Sequence, residues 1–163
     1  MEGNGCIIMF AFNRLFNELY EQRIYSEDLE RVKTLVSNFY KIPKEALDKV
    51  KVKIASLPTI YLCIIRKVGD WLQILYRPIG KILGLYQPEK KEIYIDKNIP
   101  YHQKLKALIH EYIHAAQQYL GKFKSFSRQE LEEEAYKVSD YLFKIYNRTF
   151  RKPLSFLSYL ALI

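Results

Sequence analysis

Cysteine is scarce: Cys6 and Cys63 are the only two in 163 residues, and they lie far apart with no Cys-x-x-Cys spacing. This argues against a disulfide framework and against a thiolate zinc site. A reducing, cytoplasmic setting is the expectation. Long apolar runs are missing too. The longest uncharged ones, Cys6 to Phe12, Thr59 to Ile65 and Pro153 to Ile163, fall short of the roughly 20 residues that a membrane-spanning helix needs. No transmembrane segment is therefore predicted. The first run follows Glu2 with no basic segment before it and no small-residue cleavage site after it, so it does not read as an export signal. There are no internal repeats, low-complexity stretches or glycine-rich linkers, and a single domain is expected.

The chain is 49% apolar and 27% charged, the balance of an ordinary globular domain. Its 26 basic against 18 acidic residues give a net charge of +8, which would suit nucleic acid or another polyanion. The basic residues are scattered, however, in ones and twos such as Lys51 and Lys53, Arg66 and Lys67, or Lys122 and Lys124. That is the pattern of a solvated surface, and nucleic acid is not favoured as a partner.

Residues 6–42 carry helical periodicity in two blocks. Phe12, Leu15, Phe16 and Leu19 form the first, and Leu29, Val32, Leu35, Val36 and Phe39 the second. Ser26 followed by Glu27 and Asp28 suggests a cap and a favourable first turn for the second helix, which must end before Pro43. A short helix is expected over Lys44 to Val50. The texture then becomes β-branched and aromatic, with strands predicted at Val52 to Ala55, Ile60 to Ile65, Ile82 to Tyr86 and Ile93 to Ile95. The polar turn Pro88 to Lys91 makes Gly84 to Asp96 a hairpin, while Asp70 to Arg77 fits helix or strand. Leu105, Leu108, Ile109, Tyr112, Ile113, Ala116 and Leu120 then form one helical stripe, with Pro100 near its start and Gly121 at its end. Ser127 and Glu130 form a capping box for a last helix carrying Leu131, Ala135, Val138, Leu142 and Ile145.

Within the long helix, His110, Glu111, Tyr112, Ile113 and His114 spell His-Glu-x-x-His. Residues four apart stack on one helical face, so two imidazoles there can hold one Zn²⁺ while Glu111 lies beside the open coordination position. From composition alone the motif would arise in about 0.4% of chains like this one. At 100° per residue both histidines point about 150° from the centre of the apolar stripe, so they are not core residues. Ala107 and Gln117 share their face and leave room and polarity around them. His102 lies roughly 12 Å away along the same axis, too far to bind the same ion.

A catalytic zinc takes three protein ligands and a water, and without another usable histidine the third must be a carboxylate. Of the acids on the last helix, Glu130 is occupied by the capping box and Glu133 points away from the apolar stripe. Glu132 and Glu134 flank that stripe on opposite sides, so only one can face the histidines. Antiparallel packing of the two helices across the turn Gly121 to Ser127 would bring the acids level with His114.

These residues resemble the zincin metallopeptidases of the gluzincin branch, and the chain is similar to the small archaeal minigluzincins over roughly residues 84–142. The resemblance rests on His110-Glu111-x-x-His114 and on Glu132-x-x-Ala135, similar to the Glu-x-x-Ala pattern of related glutamate helices. The metzincin pattern does not fit, because Gln117 and Leu120 stand where it needs glycine and histidine. Joined to the elements read from periodicity, the resemblance gives an expected α+β, zincin-like fold: N-terminal helices, a small mostly antiparallel sheet, then an active-site helix and a glutamate helix packed together. With the elements read along the chain, the single domain is expected to comprise a helical N-terminal extension (1–50), a zincin-like catalytic core (51–150) and an apolar C-terminal tail (151–163). The resemblance also implies Zn²⁺ held by His110, His114 and Glu132, with Glu111 as general base in the hydrolysis of a peptide or protein substrate. Tyr136 replaces the acidic or amide residue that usually follows the alanine, so Glu134 remains the alternative third ligand. An edge strand, Gly84 to Tyr86 or Ile93 to Ile95, would pair with the substrate main chain. Tyr112, Tyr119, Tyr136 and Tyr141 are candidates for stabilising an oxyanion. Two other readings stand beside this one: a basic nucleic-acid- or protein-binding module with a structural or absent metal, and a latent zincin whose N-terminal helices cover the cleft, with Cys6 as a thiolate ligand.

Overall fold

The computed structural model describes residues 24–68 and 71–150. The first predicted helix, Cys6 and the apolar tail lie outside them. Among the described residues, four helices accompany five strands in an α+β fold. In chain order these are α1 (Ser26–Tyr40), α2 (Lys44–Asp48), β1 (Lys51–Ala55), β2 (Thr59–Val68), β3 (Trp71–Lys81), β4 (Gly84–Gln87), β5 (Glu92–Asp96), α3 (Tyr101–Tyr119), a 3₁₀ turn (Lys122–Lys124) and α4 (Arg128–Phe150). None of the described helices is long and apolar enough to cross a membrane.

Helix α1 begins one residue earlier than its sequence suggests. Tyr25, in extended conformation, is the N-cap and makes no side-chain capping bond, so Ser26 is the first helical residue and not the cap. Asp28 does more than complement the helix dipole: it is buried, accepts hydrogen bonds from Tyr101 Oη (2.6 Å) and Tyr146, and pairs with Arg31. Three helices are joined at this point. Lys41 ends α1 in the left-handed region (φ 53°), ahead of Pro43, which cannot continue the helix. Buried Lys33 ties α1 to α2 by reaching Glu30 at 2.6 Å and Asp48 at 2.8 Å.

Of the ambiguous stretch Asp70 to Arg77, the described residues, from Trp71 on, lie in a strand. β3 pairs antiparallel with β2 from Thr59↔Lys81 to Val68↔Trp71, with an irregularity at Ile60/Tyr61. A second sheet has the order β1-β5-β4: β5 is parallel to β1 and antiparallel to β4. Central β5 is therefore paired on both sides, and Ile93 to Ile95 cannot be the free edge. Of the two candidates only β4 lies at an edge of the sheet, the opposite edge being β1.

On one face of this sheet, Ile93 and Ile95 are fully buried and Tyr86 is buried opposite Ile93. They join Val32, Val36, Leu105, Leu108, Ile109, Tyr112, Ile113, Ala135 and Leu142 in one core. Each large apolar side chain removed from water here contributes about 1.5–3 kcal/mol, and α3, buried along much of its length, lies at the centre. Gly121 (φ 74°) releases the chain from α3 through the left-handed conformation that glycine adopts readily. The capping box then starts α4: Ser127 N–H donates to Glu130 Oε2 at 2.8 Å, and Glu130 N–H to Ser127 Oγ at 3.3 Å.

Candidate metal centre

Contacts between α3 and α4 descend one helix as they climb the other. Lys106 pairs with Asp140 at 2.7 Å, the His110 ring lies 4.7 Å from that of Tyr136, and His114 Nε2 is 3.6 Å from Glu132 Oε1. The helices are antiparallel, and each step is one turn. This register brings Glu132 level with both histidines.

His110 Nε2 lies 3.2 Å from His114 Nε2 and 3.4 Å from Glu132 Oε2. Zinc–ligand bonds of about 2.0–2.1 Å at tetrahedral angles separate neighbouring donors by about 3.3–3.4 Å. The two imidazole nitrogens sit near that spacing, and each lies 3.4–3.6 Å from a different carboxylate oxygen of Glu132. Ligand atoms of the three residues fall within 4.8 Å of one another, the one such His/Cys/Asp/Glu group among the described residues. Both histidines are largely shielded, with 14% and 12% of their side chains exposed, against 37% for Glu132. Burial and the neighbouring His114 push the His110 pKa down, opposed by Glu132, which favours the neutral ring that a metal needs.

The remaining acids have other partners. Glu134 receives Lys122 Nζ at 2.7 and 3.0 Å, Tyr40 Oη at 3.0 Å and Gln117 Nε2 at 3.1 Å. Burial would raise its pKa, but these bonds hold the carboxyl below the ordinary range. Glu134, the alternative third ligand in the sequence reading, is thereby engaged by other partners and is not in the group of ligand atoms formed by His110, His114 and Glu132. Glu133 is exposed and accepts from Gln129, and His102 is exposed on α3.

Glu111 is buried at 6% exposure between α3 and β4. Burial, reinforced by Glu132, pushes its pKa up to about 8 despite a hydrogen bond from the Tyr86 backbone. Its neighbour on β4 is Gly84, where an added Cβ would stand 2.8 Å from Glu111 Oε1 and 2.9 Å from its Cγ. Only a glycine lets the strand pass this close. Neither Gly84 nor the supporting role of Gln117 follows from motif spacing, although Gln117 was legible as a polar neighbour of the histidines.

These groups open on a cleft of about 830 Å³, whose walls include Gly84, Leu85, Glu111, Phe123, Phe126 and Tyr136. Of the four tyrosines considered for an oxyanion, Tyr136 alone lines this cleft. Tyr112 is fully buried, and Tyr119 and Tyr141 are exposed elsewhere. Comparison with known proteins finds no protein family, curated protein or solved structure that matches this chain.

Proposed function

We propose that this protein is a zinc-dependent metallopeptidase in which His110, His114 and Glu132 hold the ion. The observation that carries the proposal is the convergence of one ligand atom from each of these three residues within 4.8 Å on the wall of an open cleft, beside a buried carboxylate that is not one of them. Two imidazoles and a carboxylate form a donor set suited to catalytic zinc. A zinc ion held by these residues would supply Lewis acidity toward a scissile carbonyl and would lower the pKa of a water molecule toward about 7.

The protein's own groups carry the remaining steps. Glu111 accepts a proton from the attacking water and delivers it to the departing amine. Burial raises the Glu111 pKa, and a divalent charge nearby would offset that pull in favour of the ionised carboxylate that a base requires. The free edge of β4 can pair with an extended peptide and align its carbonyl beside the histidines, and Tyr136 stands in the cleft as a donor toward developing negative charge.

Metal analysis of the purified protein should find about one zinc per chain, with cleavage of an unstructured protein substrate that chelation abolishes. Glu111→Gln should keep the metal and lose hydrolysis. Cleavage at the normal rate by that variant would remove Glu111 from the mechanism, and hydrolysis that persists without bound metal would overturn the proposal.

A further inference from the structure

We infer that Gln117 is a positioning residue that fixes the tautomer of His114, backed by Glu134, Lys122 and Tyr40. Gln117 lies one turn beyond His114 on α3 and is fully buried. Its side-chain nitrogen is 2.9 Å from the carbonyl oxygen of Leu131 and 3.1 Å from Glu134 Oε2. Both partners only accept. The reversed amide would press its oxygen against two acceptors away from water, losing both bonds and leaving buried groups unpaired. The amide orientation is therefore decided by its surroundings, and Oε1 is the atom 2.8 Å from His114 Nδ1.

That oxygen has no proton to give. His114 Nδ1 must donate, which leaves a lone pair on its Nε2, the atom facing His110 and Glu132. The ring is thus held in the form that a cation at this site requires, with its angle set by a bond from a neighbouring turn.

Glu134 supplies the next layer. Lys122 on the 3₁₀ turn and Tyr40 at the end of α1 both donate to its carboxylate, which keeps it an acceptor for Gln117. A chain of bonds from four separate elements therefore ends on one imidazole nitrogen. The consequence for metal affinity rests on the proposed function, but the tautomer is a property of the protein without metal.

The test is long-range ¹H–¹⁵N NMR of the metal-free protein at a pH above the histidine range, together with zinc affinity from competition with a chelator. In the unsubstituted protein His114 should carry its proton on Nδ1. Gln117→Met, close in volume and unable to accept that proton strongly, should lose the Nδ1–H preference and bind zinc about 10–100-fold more weakly, the usual effect of removing a group that orients a ligand. Its melting temperature reports separately on folding. A proton on Nε2 of His114 in the unsubstituted protein would overturn the inference whether or not the variant folds, as would unchanged tautomer and affinity in a folded Gln117→Met. Failure of the two readings is distinguishable. Tight zinc binding with no effect of Gln117→Met removes the positioning role alone, whereas the expected tautomer switch in a protein that binds no zinc removes the metallopeptidase alone.

Discussion

Gly84→Ala tests whether the placement of Glu111 governs turnover. The added methyl would stand 2.8 Å from Glu111 Oε1, about 0.6 Å inside ordinary van der Waals contact, and 2.9 Å from Cγ, which cannot swing aside as a chain end can. Relief has to come from a shift of the carboxylate or of β4. A misplacement of about 1 Å in a reacting group can reduce a rate about 100-fold, equivalent to about 2.7 kcal/mol in the barrier, so a displacement of this size should lower kcat about 10- to 100-fold. Zinc content should not change, because Glu111 is not among the three converging ligands. Overpacking costs about 1–3 kcal/mol, partly offset by about 0.4–1 kcal/mol from the stiffer unfolded chain, so the melting temperature should fall by only a few degrees. Steady-state kinetics on an unstructured protein, with metal analysis and thermal denaturation on the same preparation, separates these effects. Unaltered kcat in Gly84→Ala would refute the claim that this close approach sets the position of the base.

Glu132→Ala should weaken zinc binding by more than the about 10–100-fold expected for a supporting residue, whereas Glu134→Ala should stay within that range; the reverse order in a chelator competition would exchange their roles. Leu142, packed in the core at 2% exposure, should cost about 2–5 kcal/mol when replaced by alanine, read from urea denaturation. Asp96 is fully buried. Burial would raise its pKa, but the Lys81 ion pair and backbone N–H groups of Asn98 and Leu57 hold it below the ordinary aspartate value. Its stabilising contribution should accordingly be complete above about pH 4 and be lost as pH falls toward the lower folded-state value; denaturation curves over that interval should be steeper in pH than those of Asp96→Asn.

Helix α4 was legible in sequence because its signals are local and agree: the Ser127–Glu130 capping box forms as its spacing implies, and the apolar stripe from Leu131 to Leu142 is buried. At α1, local chemistry misled. Ser26 has the composition of a cap, but the partners of Asp28 come from α3 and α4, far along the chain, and the helix starts where those contacts put it. The stretch Asp70 to Arg77 was undecided for a similar reason: its sequence permits either conformation, and for its described residues pairing with β2 supplies the choice. Nor could periodicity tell β4 from β5 as the free edge. That depends on the parallel docking of β1 against β5, after the chain has passed through three intervening strands.

The same division between local and distant information runs through the site. His110 and His114 needed only the helical repeat to come together. Choosing between Glu132 and Glu134 needed the register of two helices, which no spacing within α4 encodes: two residues apart, they point to opposite sides of the buried stripe. The contacts of Lys106 with Asp140 and of His110 with Tyr136 set that register, and it leaves Glu132 beside the imidazoles while Lys122 and Tyr40 take the other acid. Exchanging the two would mean breaking the bonds that Glu134 makes to Lys122, Tyr40 and Gln117, and with the last of these the support behind His114. The carboxylate that does not face the histidines therefore helps determine which one does.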